Sequence, residues 1–170
     1  MVRARSSLVV CVAMLVGGSA LGQTSPASAD AIRLREIRYE ALAQRVLALQ
    51  GRVVLVDFWA TYCLPCKREF PRLVQTWNRF RTRGLVVLTV SLDDPEDADA
   101  KLRIQQFLVS QQADMENYWL REKPELWQGK LKIDGPPCLF LFDMRGRLVK
   151  KYHDHVDFDD IDRRIDSLVK

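Results

Sequence analysis

The stretch Val53-Val54-Leu55-Val56-Asp57-Phe58-Trp59-Ala60-Thr61-Tyr62-Cys63-Leu64-Pro65-Cys66-Lys67 joins a continuous β-branched and aromatic run to a Cys-x-x-Cys pair. Val53 to Trp59 predicts a strand buried on both faces, as at the centre of a parallel sheet. Downstream, Phe70, Leu73, Val74 and Trp77 share one helical face that runs out near Gly84. Cys63 and Cys66 thus fall where a buried strand hands over to a helix. Unpaired backbone N–H groups and the positive end of the helix dipole gather at such a point and favour a thiolate over a thiol. Cys66, one turn further in, is expected to be more buried and less reactive. The pair can then exchange: Cys63 attacks a disulfide, a mixed disulfide forms, and Cys66 resolves it. A structural zinc half-site is the competing reading. It needs a second pair of ligands, and only Cys138, His153 and His155 are available for it.

Secondary-structure signals continue on both sides. Ala31 to Ile37 alternates apolar and charged residues, which predicts a half-buried strand. Tyr39, Leu42, Val46 and Leu49 follow at helical spacing, with Gly51 placed as a C-terminal cap. Leu85 to Leu92 reads as a second buried strand. Asp94-Pro95-Glu96-Asp97 has the marks of a helix start, a capping Asp followed by Pro and acids. Ala100, Ile104, Phe107 and Leu108 would supply that helix's apolar face. Asn117 to Leu120 predicts a short strand, and Glu122 to Gly129 a helical turn or a little more. Trp119 and Trp127, within this stretch, are expected in the core. Leu139–Phe142 and Leu148–Tyr152, around Arg145-Gly146, predict an antiparallel hairpin. Phe158, Ile161, Ile165 and Leu168 give a last amphipathic helix capped by Asp157. The order implies an α/β fold, a mixed central β-sheet between helices on both faces.

The 170 residues suit one domain, and 48% apolar with 28% charged residues is a soluble globular mix. A disordered chain, a collagen and a multi-pass membrane protein are excluded. A net charge of +4 without any block of like charge gives no support for a nucleic-acid surface. Residues 1–29 place Arg3 and Arg5 before the apolar run Leu8–Val16 and small residues, the order of a cleaved secretory signal peptide. Cleavage after Ala29 is preferred to cleavage after Gly22, and an uncleaved anchor is the alternative. The folded domain is then 30–170. Cys11 leaves with the leader, so Cys63, Cys66 and Cys138 remain, in a compartment where disulfides form and persist.

The segment Val54–Lys67 resembles the thioredoxin signature, and Ile133-Asp134-Gly135-Pro136-Pro137 resembles that family's cis-proline segment. Lys67-Arg68-Glu69-Phe70-Pro71-Arg72-Leu73 is similar to the exported, TlpA/ResA-like thiol–disulfide oxidoreductases. The resemblance covers about Ala31 to Lys170. It implies a thioredoxin fold in which Cys63 attacks, Cys66 resolves and Pro137 is the cis-proline packed on the pair. Asp57 matches the buried acid behind the second cysteine, where desolvation raises a carboxyl's pKa and lets it take the Cys66 proton. Glu69 matches the acid of the exported branch. Tyr62, Leu64, Pro65, Pro136 and Pro137 would line the substrate groove. Four residues depart from the pattern: Tyr62 where Trp is usual, Leu64 between the cysteines, Pro136 where a residue with an N–H is usual, and Cys138 where Thr is usual. Cys138 directly follows Pro137, so its sulfur is expected near the pair, although a small buried hydrophobe is the simpler reading.

The implied activity is exchange with protein thiols and disulfides, in the reductive direction. It needs no cofactor beyond the Cys63–Cys66 disulfide and no metal. The implied setting is a monomer in the periplasm of a bacterium, fed by a membrane electron donor. The alternative is a copper metallochaperone of the same fold, using Cys63, Cys66 and His153 or Cys138, since soft thiolates suit Cu(I). Copper carriers of this fold usually separate their cysteines by more than two residues. His153 and His155 would share a face if their strand continued.

Overall fold

The computed structural model describes residues 32–169. The signal-peptide reading of residues 1–29 lies outside them. The chain runs β1 (Leu34–Ile37), α1 (Tyr39–Ala48), β2 (Val53–Trp59), α2 (Leu64–Phe80), β3 (Leu85–Ser91), α3 (Ala100–Ser110), β4 (Glu116–Leu120), α4 (Pro124–Leu131), β5 (Cys138–Phe142), β6 (Leu148–His153) and α5 (Phe158–Leu168). Six strands form one sheet in the order β1-β4-β3-β2-β5-β6. β1, β4, β3 and β2 are parallel; β5 runs antiparallel to β2, and β6 to β5. β2 is therefore central and buried along its whole length, as its apolar run requires.

Residues alternate between the two faces of β2. Val53, Leu55 and Trp59 join the core formed with α2, α3 and α5. Val54, Val56 and Phe58 join the opposite core, with Leu42 and Val46 of α1 and Trp127 of α4. Trp59, Phe70 and Phe107 stack as a triad, with centroids 5.3, 4.8 and 5.0 Å apart. At about 0.5–1.5 kcal/mol per aromatic pair beyond simple burial, the triad fixes α2 and α3 against the end of β2. α2 continues through Pro71, which lacks the N–H that would bond the Lys67 carbonyl. α5 is tied alongside α2 by Arg72–Asp159 and Arg79–Asp162 ion pairs, and to the turn that follows α2 by Arg83–Asp166. Asp157 caps α5 by accepting from the N–H groups of Asp159 and Asp160, as the sequence implies.

Four local expectations are corrected. α3 begins at Ala100, not at Pro95. The acids before it cap turns instead: Asp94 accepts from the Glu96 N–H at 2.9 Å, and Asp97 from the Asp99 N–H at 2.9 Å. α1 ends at Ala48 with Leu49 as cap. Gly51 comes later, at φ +92°, in the turn into β2, where its N–H donates to the Met144 carbonyl at 2.7 Å. α4 runs from Pro124 to Leu131, beyond the Gly129 expected as its end. β6 stops at His153 because Asp154 takes a left-handed φ of 65°, so His153 and His155 do not share a strand face. Trp119 and Trp127 are buried, as expected.

Candidate functional site

Cys63 is the N-cap of α2, and it is disulfide-bonded to Cys66 across a Cα–Cα distance of 5.3 Å. Its Sγ accepts a hydrogen bond from the Cys66 N–H at 3.2 Å. The first turn of α2 thus points a backbone donor at the Cys63 sulfur, which favours its thiolate once the bond is reduced. Burial does not distinguish the two sulfurs, since Cys63 is 7% and Cys66 5% exposed. Their difference comes from the helix terminus. Around the buried pair, Tyr62 (67%) and Leu64 (65%) stand out into solvent, and Pro65 is exposed beside them. Tyr62 separates two depressions of about 680 and 260 Å³, the first bordered by Lys67, Arg103 and Phe107, the second by Asp94, Glu122 and Glu125.

Pro136 and Pro137 are joined by a cis peptide bond, as the motif implies. β5 pairs with β2 in a register that sets Cys138 opposite Phe58. Pro137 therefore comes level with Trp59, at the end of the strand that leads to Cys63. The same register turns Cys138 away from the pair. Its side chain packs in the core cluster of Val54, Val56 and Phe58, while Cys63 and Cys66 belong to the cluster on the other face. Cys138 is fully buried, and burial pushes its thiol up to about 12. The expectation that its sulfur lies near the disulfide does not hold, and its surroundings are those of a small hydrophobe. Among the described residues no group of three or more His, Cys, Asp or Glu side chains is placed to hold a metal ion.

Asp57 lies on β2 in phase with Leu55 and Trp59, on the same sheet face as the pair, and is 7% exposed. Burial, and next the nearby charge of Glu69, push its carboxyl up to about 8. Glu69 is half-buried on α2; burial raises its pKa, while His155 and Arg68 oppose that rise. The two expected acids are thus within electrostatic reach of each other. A carboxyl near 8 can hold or release a proton close to neutrality, which general acid–base work requires.

The loop before Cys63 is held by a residue that the sequence reading passed over. Asp93, two residues beyond β3 and 2% exposed, accepts from the Thr61 N–H at 2.9 Å and from the Ser91 hydroxyl at 2.7 Å. It also accepts from the Thr61 hydroxyl. Its own backbone is tied by its N–H to Ser91 Oγ at 3.1 Å and by its carbonyl to the Trp119 indole N–H at 3.0 Å. From the other side, Lys67 Nζ donates to the Thr61 carbonyl at 3.3 Å. The available sequence signal was an acid at the C-terminal end of the strand beside the cysteine-bearing one, where sites in parallel sheets gather.

The AhpC/TSA family model matches residues 38–152. Two relatives are both named thiol-disulfide oxidoreductase ResA. The one from Halalkalibacterium halodurans is 31% identical over 75 residues, covering 44% of this chain and 39% of the relative. The one from Bacillus subtilis is 26% identical over 102 residues, covering 60% of this chain and 53% of the relative. The chain thus spans about half the length, or less, of these relatives. Among solved structures, the thioredoxin domain of a thiol-disulfide oxidoreductase from Bacteroides vulgatus superimposes with a TM-score of 0.61 at 25% identity, covering 72% of this chain and 83% of that one.

Proposed function

The chain belongs to the AhpC/TSA family, and on that premise we propose that it is an exported thiol–disulfide oxidoreductase that reduces protein disulfides through Cys63 and Cys66. The observation that carries this reading is the disulfide itself, set at the N-terminus of α2 with a buried carboxyl of raised pKa on the same sheet face. The names of the relatives support the reaction class.

In the reductive direction the Cys63 thiolate attacks one sulfur of a client disulfide. A Cys63–client disulfide forms, and the other client sulfur leaves as a thiolate that takes a proton from water. Asp57, when ionised, accepts the Cys66 proton. The Cys66 thiolate then attacks the Cys63 sulfur and displaces the second client thiolate. The net change is one dithiol oxidised and one disulfide reduced. The protein's pair is recharged by an electron donor, and the resemblance to the exported branch points to one held in the membrane facing a bacterial periplasm. The exposed Tyr62 and Leu64 beside a buried disulfide suit an extended client segment laid across the site. Pro65, Pro136 and Pro137 would form the rest of that surface.

The test is a trap. Cys66→Ser should accumulate disulfide-linked clients in periplasmic extracts, and Cys63→Ser should not. Equal trapping by both variants, or none by either, would overturn the assignment.

A further inference from the structure

We propose that Asp93 is a positioning residue for the Cys63–Cys66 pair, one that pins the approach to Cys63 and sets a buried negative charge behind it, so that the disulfide is favoured over the thiolate form. The inference rests on the oxidoreductase reading and gives the pair's reducing bias a structural origin.

Three neutral donors meet the carboxylate: the Thr61 N–H, the Thr61 hydroxyl and the Ser91 hydroxyl, shared over both oxygens. Both oxygens accept. Among the described residues no guanidinium or ammonium group forms an ion pair with Asp93; the nearby Arg103 pairs with Asp97 instead. A carboxylate bound by neutral donors keeps its full charge, and at 2% exposure little water screens it.

That charge is bonded to the residue two positions before Cys63. The link between β2 and Cys63 is only Ala60, Thr61 and Tyr62, closed by a Cys63 N–H to Ala60 carbonyl bond of 3.1 Å. With Thr61 pinned, Cys63 is held where it caps α2. Two influences then oppose each other at its sulfur. The helix terminus favours the thiolate, and the Asp93 carboxylate disfavours it, as like charges do. A dithiol whose thiolate is stabilised makes its disulfide oxidising. Asp93 works against that and keeps the pair reducing. Lys67, Tyr62 and Arg103 also face this loop, so the test leaves them unchanged, along with Asp57 and Glu69.

The equilibrium to measure is protein disulfide plus two glutathione giving protein dithiol plus glutathione disulfide. Asp93→Asn keeps the shape and removes the charge, Asp93→Ser keeps a polar acceptor if Asn does not fold, and Thr61→Val keeps the charge and removes one bond. The charge-removing variants should shift the equilibrium about tenfold toward the dithiol, which is about 30 mV for a two-electron couple. They should also move the pH profile of Cys63 alkylation to lower pH. Thr61→Val should shift the equilibrium less than either. Asn and Ser variants that match the wild type in both readouts would overturn this inference alone. A wild-type pair that does not equilibrate with glutathione would overturn the oxidoreductase reading beneath it.

Discussion

Replacing Asp57 with Asn should make the protein more stable at neutral pH while impairing its chemistry. The folded state holds the Asp57 proton up to about pH 8, whereas the ordinary carboxyl value is 3.8. Between those values the folded chain binds a proton that the unfolded chain releases, so stability falls as pH rises. The slope is about 1.4 kcal/mol per pH unit. At pH 7 roughly three units have accumulated, a cost of about 4 kcal/mol, and above pH 8 the loss levels off. Asn carries no such cost. Urea unfolding of the oxidised protein should show Asp57→Asn and wild type nearly matched at about pH 4 and separating steadily up to about pH 8. In a Glu69→Gln background the decline should still begin near the ordinary carboxyl value but end at lower pH and be shallower, because Glu69 is the second cause of the raised value. In single-turnover kinetics Asp57→Asn should slow release of the client from the mixed disulfide and spare the first attack. Parallel stability curves, or a wild type that gains on the variant as pH rises, would refute the reasoning.

Cys138, buried and pushed up to about 12, should resist alkylation in the folded protein. Non-reducing mass spectrometry should show only the Cys63–Cys66 bond, and an appreciable Cys63–Cys138 species would contradict the two-face placement. Pro136 has no N–H, so a client strand laid beside it lacks one backbone hydrogen bond, a net loss of about 0.5–1.5 kcal/mol. Pro136→Thr should therefore bind client peptides several-fold more tightly by calorimetry, and equal affinities would count against that pairing.

The centre of the fold was legible because its signals are local. Six apolar or aromatic residues among the seven from Val53 to Trp59, followed by a cysteine that can cap a helix, specify a buried strand and a helix start whatever lies elsewhere. Asp57 could be picked out because it stands where the resembling family carries its buried acid. What failed depends on competition or on register. Asp94 and Asp97 can cap a turn as readily as a helix, and sequence does not say which hydrogen bond wins. The face taken by Cys138 follows from the β2–β5 register, and a one-residue shift would reverse it. The His153–His155 pairing failed on one left-handed residue, Asp154. Asp93 was missed because its partner Thr61 lies 32 residues away, brought close only by the pairing of β2 with β3.

The most direct test of the central claim is the reduction potential of the Cys63–Cys66 pair, measured by equilibration with glutathione or dithiothreitol buffers. A reductive exchanger should lie near thioredoxin, at about −270 mV. A value near that of DsbA, about −120 mV, would reverse the direction of electron flow and contradict the account.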